Sequence, residues 1–270
     1  MIGLILGETQ LGTLIIKKLK SIKKDFIIID ISKKKKFKNN KNYYPLSVGQ
    51  LGKAISILKR NKCKSIIFAG RVIRPNFLTD KFDLKALYYL PKIVKNARKG
   101  DAFLLKKVIE IFKNEGFKIL NSTYFNKELL LKKGNHTLVK PNVLNKKDIL
   151  KGKYILDDLS RKNVAQSIVV RNGQVICIED IQGTDHMLNR VNNLIKKFHK
   201  KRKKEGILLK LPKKNQDLRI DLPTLGIKTI KKCVKIGLKG IVVKANQNIF
   251  LDQLKCINLA NKSKMFICAI

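Results

Sequence analysis

The chain opens with an unbroken apolar run, Ile2 to Leu6. Leu11, Leu14, Ile15 and Leu19 then recur at helical spacing, and Phe26 to Ile31 forms a second apolar run. Val48, Leu51, Ile55 and Leu58 predict another helix, Ser65 to Gly70 a third strand, Ala102 to Asn114 a helix and Phe117 to Leu120 a further strand. Strands that are apolar at almost every position, alternating with helices, belong to a parallel sheet covered on both faces. The first half therefore reads as α/β.

A polar, basic stretch with Gly134, Pro141 and Gly152 marks a junction, giving domains over 1–132 and 154–270 with a linker over 133–153. Beyond it, Gln166 to Val170 and Gln174 to Ile178 flank Arg171-Asn172-Gly173, the Asn-Gly signal of a β-hairpin. Thr184 can cap a helix whose apolar face is Met187, Leu188, Val191, Leu194, Ile195 and Phe198, with a basic face ending in Lys200 to Lys204. Gly206 to Leu211, Gly240 to Ala245 and Met265 to Ile270 read as strands, and Leu225 to Ile236 as a helix stopped by Gly237. The second half is α/β as well.

Between these elements lies Gln216 to Gly226. Strand alternation there would put Asp217, Arg219 and Asp221 on one face and Leu218, Ile220 and Leu222 on the other, with Pro223-Thr224 turning the chain into a helix. Two carboxylates beside a guanidinium can hold a divalent metal and grip a phosphate. The same pattern also suits an edge strand with one salt bridge. Two further polar clusters sit at element ends: Lys99-Gly100-Asp101 and Glu179 to Asp185. Asp101 and Asp185 suit helix N-termini by charge alone. Gly7 and Gly70 follow strands, where a missing side chain lets backbone approach a ligand or simply makes a turn.

Composition narrows the choice. Lys and Arg number 60 against 19 Asp and Glu, a net charge of +41, so an anionic partner is favoured: a phosphorylated substrate, an acidic membrane surface or nucleic acid. With no Trp, 7% aromatics and no aromatic-basic interleaving, specific nucleic-acid binding is not expected. Cys63, Cys177, Cys233, Cys256 and Cys268 include no close pair, which argues against a zinc ribbon or disulfide framework and for a reducing, cytoplasmic setting. No apolar run reaches the roughly 20 residues that span a bilayer. Neither G-x-G-x-x-G nor a P-loop is present, and His136, His186 and His199 are too few and too badly spaced for a dinuclear metallohydrolase, with His186 and His199 expected at the surface.

Four strings, in order along the chain, carry a more specific signal: Phe68-Ala69-Gly70-x-Val72-x-Arg74-Pro75; Ala97-Arg98-Lys99-Gly100-Asp101; Glu179-x-x-x-Gly183-Thr184-Asp185-x-Met187-Leu188-x-Arg190; and Gln216-Asp217-x-Arg219-x-Asp221-Leu222-Pro223-Thr224-x-Gly226. Together they resemble the LpxI-type UDP-2,3-diacylglucosamine diphosphatases. The resemblance implies a Rossmann-like N-terminal domain and a family-specific C-terminal α/β domain. It implies Mg²⁺-dependent hydrolysis of UDP-2,3-diacylglucosamine to lipid X and UMP in lipid A synthesis. It further implies a homodimer, cytoplasmic or peripheral on the anionic inner face of the membrane. By motif position Asp221 is the essential acid, with Arg219 and Asp217 beside it. Asp221, Asp185 and Glu179 are candidate metal ligands. Gly7, Gly70, Arg74, Lys99, Asp101, Thr184, Lys210, Gln216 and Thr224 are candidate substrate contacts. The chain departs from the family pattern at Glu8 and Gln182, where glycine and an acid are common. The alternative from another class is a basic protein that binds nucleotide-sugar or nucleic acid without turnover.

Overall fold

The computed structural model describes residues 1–72, 76, 80–98, 100–198, 204–214 and 216–270. Its contacts divide the chain into two units, one of residues 1–127 with 219–221 and one of 128–218 with 222–270.

In the first unit β1 (Ile2–Leu6), α1 (Gln10–Ser21), β2 (Phe26–Asp30), β3 (Tyr43–Pro45), α2 (Leu51–Arg60) and β4 (Ser65–Ala69) precede α3 (Leu84–Arg98), α4 (Asp101–Asn114) and β5 (Lys118–Leu120). The strands pair in parallel in the order β3-β2-β1-β4-β5, the half-sheet of a Rossmann-like fold. The apolar runs become the buried centre: β1 is buried along its whole length, and Ile27, Ile29 and Ile66 pack with Ile55 and Leu58 of α2 and Phe112 of α4. Ile220 packs against this same core. Glu115, at the end of α4, accepts from Lys59 of α2 at 2.6 Å and pairs with Lys85 of α3. Those two ammonium groups hold its carboxyl below the usual range and join three helices.

The second unit runs β6 (Gly134–Asn135), α5 (Val143–Arg161), β7 (Ser167–Arg171), β8 (Gln174–Ile178), α6 (Thr184–Phe198), β9 (Ile207–Lys210), β10 (Thr224–Leu225), α7 (Ile227–Ile236), β11 (Gly240–Val243), β12 (Ile249–Phe250), α8 (Gln253–Lys262) and β13 (Phe266–Ala269). Six strands are ordered β6-β13-β11-β9-β7-β8, with β13, β11 and β9 parallel and the hairpin β7-β8 antiparallel at one side. Met187 and Val191 of α6, Ile230 and Cys233 of α7 and Cys256 of α8 cover one face, and Leu156 of α5 packs on the other with Ile168, Val170, Leu209 and Phe266. The Asn172-Gly173 turn has φ of 51° and 76°, the left-handed pair that a two-residue hairpin requires, and Asp148 of α5 accepts both turn N–H groups at 3.2 and 2.6 Å.

Three sequence expectations change. Residues 218–220 form a turn, and the strand expected over Gln216 to Leu222 is absent. Arg219–Asp221 clusters with the first unit while its neighbours on both sides cluster with the second, so the segment has no continuous ladder partner. Thr224 does not open a helix: it pairs with Ile249 in the short parallel bridge β10-β12, and α7 begins only at Ile227. Residues 133–153, read as a linker, carry β6 and the first half of α5. The apolar face of α6 is largely as expected, with Met187, Leu188, Val191 and Ile195 buried, although Leu194 is exposed.

Candidate functional site

Polar side chains converge on one edge of the second sheet, beyond the carboxyl ends of its parallel strands. Ligands in open α/β sheets gather at this edge. Lys210 ends β9, and the antiparallel register sets Ser167, the first residue of β7, directly beside it. Glu179 follows β8, and its N–H donates to the Ser167 carbonyl at 3.0 Å, which places it level with both. Thr184 opens α6. These four residues come from four elements and are buried, so their geometry is fixed by the sheet.

Their hydrogen bonds define the chemistry. The Lys210 ammonium donates to Thr184 Oγ1 at 2.7 Å, and the Ser167 and Thr184 hydroxyls lie 3.2 Å apart. Thr184 is thus held sideways by the sheet, where the sequence suggested a helix cap. Asn248, fully buried, donates to the Lys210 carbonyl at 3.0 Å and accepts from the Lys244 N–H at 2.9 Å, pinning the end of β9. Arg190 of α6 donates to the Ile178 carbonyl at 3.0 Å and pairs with Asp180 at 3.1 Å, so it ties down the residues on both sides of Glu179. One Glu179 carboxylate oxygen, Oε2, is buried and accepts no hydrogen bond. A buried ammonium beside the N-terminus of α6 attracts an anion, and an orphaned buried carboxylate oxygen calls for a cation or a donor.

The remaining sequence candidates distribute unevenly. Asp185 is exposed and its carboxylate pairs with Lys232 of α7 at 3.1 Å, a helix–helix link. Gln216 is buried, but its Oε1 accepts from the Lys213 N–H at 3.0 Å and stabilises its own loop. The Thr224 hydroxyl donates to the Leu222 carbonyl at 3.1 Å within a local turn. Asp217, Arg219 and Asp221 are half-buried, and Ser122 N–H donates to the Arg219 carbonyl at 2.8 Å. Among the described residues no three His, Cys, Asp or Glu side chains gather as a metal cluster. Arg74 and Lys99 lie outside the described residues, and Asp101 opens α4.

Gly7 and Gly70 have a structural reason of their own. A Cβ on Gly7 would lie 2.3 Å from the Arg71 carbonyl oxygen, and Gly70, at φ 97°, would press a Cβ to 3.0 Å from Gly7. The β1 and β4 loops therefore touch through these glycines, and Glu8 joins them by donating its N–H to the Arg71 carbonyl at 2.8 Å. Glu8 also accepts from the Lys33 N–H at 2.6 Å. Asp30, where dinucleotide-binding sheets place the acid that meets a ribose, is occupied otherwise: it is fully buried and accepts from the N–H groups of Ser32 (2.9 Å) and Phe37 (3.4 Å) and from the Tyr43 hydroxyl (3.3 Å). Burial, then the Asp30 charge and hydrogen bond, raise the Tyr43 phenol above its ordinary pKa.

Sequence reasoning missed Ser167 and Asn248. Ser167 opens a strand read as apolar, and Asn248 follows β11 with no motif around it; only sheet register reveals either one. His186, expected at the surface, is half-buried with its Nδ1 enclosed.

Comparison with known proteins places the chain in a family. Residues 1–129 match the LpxI N-terminal domain and residues 132–268 the LpxI C-terminal domain. A relative from Caulobacter vibrioides, the UDP-2,3-diacylglucosamine pyrophosphatase LpxI, is 34% identical over 226 residues, covering 83% of this chain and 81% of its own length. With both domains matched in order and a relative 34% identical over most of the chain, the chain belongs to the LpxI family.

Proposed function

We propose that this protein hydrolyses the pyrophosphate of UDP-2,3-diacylglucosamine, adding water across one P–O–P bond to release UMP and 2,3-diacylglucosamine 1-phosphate. The reading rests on the relative's reaction. The observation that carries it is the buried Lys210–Thr184 pair at the N-terminus of α6, an anion-receiving arrangement at the ligand edge of the sheet. Lys210 and the α6 N-terminus hold phosphate oxygens, and Ser167 and Asn248 keep the ammonium and its strand in place. Asp221 is assigned as the essential acid from its motif position, with Arg219 contributing positive charge as the phosphorus gains electron density.

Magnesium fits the donor chemistry in a limited way. Glu179 offers an unsatisfied buried oxygen, and Mg²⁺ accepts one or two carboxylates completed by water and substrate phosphate. When bound, the ion neutralises charge on the pyrophosphate. Asp185, engaged by Lys232, is not needed for this. Access to an amphiphilic substrate suits a protein of charge +41 at an anionic inner membrane face, and a homodimer completes the proposal. No helix among the described residues is long and apolar enough to cross a membrane.

The test is purified protein with UDP-2,3-diacylglucosamine, in Mg²⁺ and in EDTA, with products identified by mass spectrometry. Metal-dependent UMP and lipid X are the expected result. Binding without turnover by folded protein, beside an active control enzyme, would transfer the protein to the binding-only reading.

A further inference from the structure

Helix α5 turns two different faces outward and inward. Its inward face carries Asn145, Asp148, Gly152, Leu156 and Ser160, and Ile149, Ile155 and Leu159 pack against the same core as β7 and β9. Its outward face carries Val143, Leu150 and Tyr154, which are 69%, 68% and 80% exposed. At about 100° per residue these three fall within roughly 40° of one another, on one stripe. A stripe of this kind on a helix is not explained by the fold of one chain.

The charges around the stripe identify what covers it. Lys146 and Lys147 stand six and five residues before Gly152, and Asp157 and Asp158 stand five and six residues after it, flanking the same stripe. Lys146, Lys147 and Asp157 make no ion pair among the described residues, and Asp158 has only an exposed partner, Lys162, at 3.2 Å. Two such helices laid antiparallel about a two-fold axis level with Gly152 bring Leu150 against Tyr154 of the second copy. The same pairing sets Lys146 and Lys147 beside Asp157 and Asp158 at both ends. Self-complementarity of this sort is what an isologous interface demands. An anionic lipid surface would engage the lysines but offer nothing to Asp157 and Asp158, whereas a second copy supplies both with lysines.

We infer that α5 is a homodimer interface, formed by antiparallel pairing of its Val143-Leu150-Tyr154 stripe with that of a second copy. The inference takes the homodimer from the reading above and adds the surface and the register. The four flanking charges fix that register, and the apolar stripe supplies the affinity.

Sedimentation equilibrium over a range of concentrations tests it with three full-length variants: K146E/K147E, D157K/D158K and all four changes together. Each double variant is expected to raise the dimer dissociation constant at least about tenfold, because it sets like charges together, and the fourfold variant to restore it by exchanging the partners. Thermal melts check that the variants, changed at three exposed positions and at the half-buried Asp157, keep the fold. A monomeric wild type, or a dissociation constant unmoved by either pair, or one not restored in the fourfold variant, would overturn the proposal. So would a monomer that binds phosphatidylglycerol vesicles through Leu150 and Tyr154, which would give the face to lipid. Hydrolysis assayed on the same samples separates the readings, since an active monomer refutes the interface alone.

Discussion

Two acids stand at strand ends in this molecule, Asp30 closing β2 in the first unit and Glu179 following β8 in the second, and both are buried. Asp30 is saturated: two backbone N–H groups and a tyrosine hydroxyl point at its carboxylate. Glu179 keeps an oxygen with no donor, beside a glycine loop that would bring a Cβ to 3.9 Å from its other oxygen. The difference separates an acid that organises a loop from one with a buried oxygen left unmet. A buried charge with every lone pair met contributes to stability, whereas a buried lone pair left unmet costs stability and persists where function retains it.

Mutations can break this contrast. Replacing Asp221 by Ala is expected to reduce turnover about a thousandfold or more while the melting temperature stays near that of wild type, as removal of an essential catalytic group does. Wild-type activity in Asp221→Ala would remove the acid from the mechanism. Glu179→Gln should lower turnover by about a hundredfold, comparable to the loss of one site group, without destabilising the protein, since the change removes an uncompensated buried charge. Asp30→Asn is the reverse case. It leaves donors facing an amide and should cost about 2 kcal/mol of stability by denaturant titration, with turnover per folded molecule unchanged. If Asp30→Asn instead abolished turnover at full stability, the first unit's acid would belong to the site.

The smallest effect is expected at Glu115. Its folded pKa is depressed by Lys59 and Lys85, so its stabilisation is complete above the ordinary carboxylate pKa and is lost as pH falls through the lower, folded value. Glu115→Gln should cost about 1 kcal/mol near neutrality, a modest figure because the lysines are partly exposed. The variant's stability should also decline less than wild type between neutral pH and the acid range. Equal acid sensitivity in both proteins would deny the link.

Legibility from sequence followed burial pattern. The parallel strands, the Asn-Gly hairpin and α7 were visible because their apolar positions are contiguous or helically spaced and their turns use residues suited to left-handed backbone. Helix α5 was hidden because its inward face mixes Asn145, Asp148, Gly152 and Ser160 with Leu156 and the half-buried Ile149, Ile155 and Leu159, while Val143, Leu150 and Tyr154 point outward and blur the helical period. Its capping box, Asn142 with Asn145, uses Asn where the familiar signature has Ser or Thr with Glu or Gln. At the site, Thr184 and Glu179 were read from motif positions and Lys210 from its place at the end of a strand, but Ser167 and Asn248 depend on strand register, which a single sequence does not display. Asp217 to Asp221 alternate as a strand would, yet neighbouring residues there divide between two units, so local pattern yielded to tertiary contacts.

The central claim is that the Lys210–Thr184 edge of the second unit receives phosphate. Calorimetric binding of a short-acyl 2,3-diacylglucosamine 1-phosphate to wild type and to Lys210→Met tests it most directly. The account predicts saturable binding by wild type and at least about tenfold weaker binding by the variant, since a buried ammonium–phosphate contact is lost. Equal affinities, with both proteins folded, would contradict it.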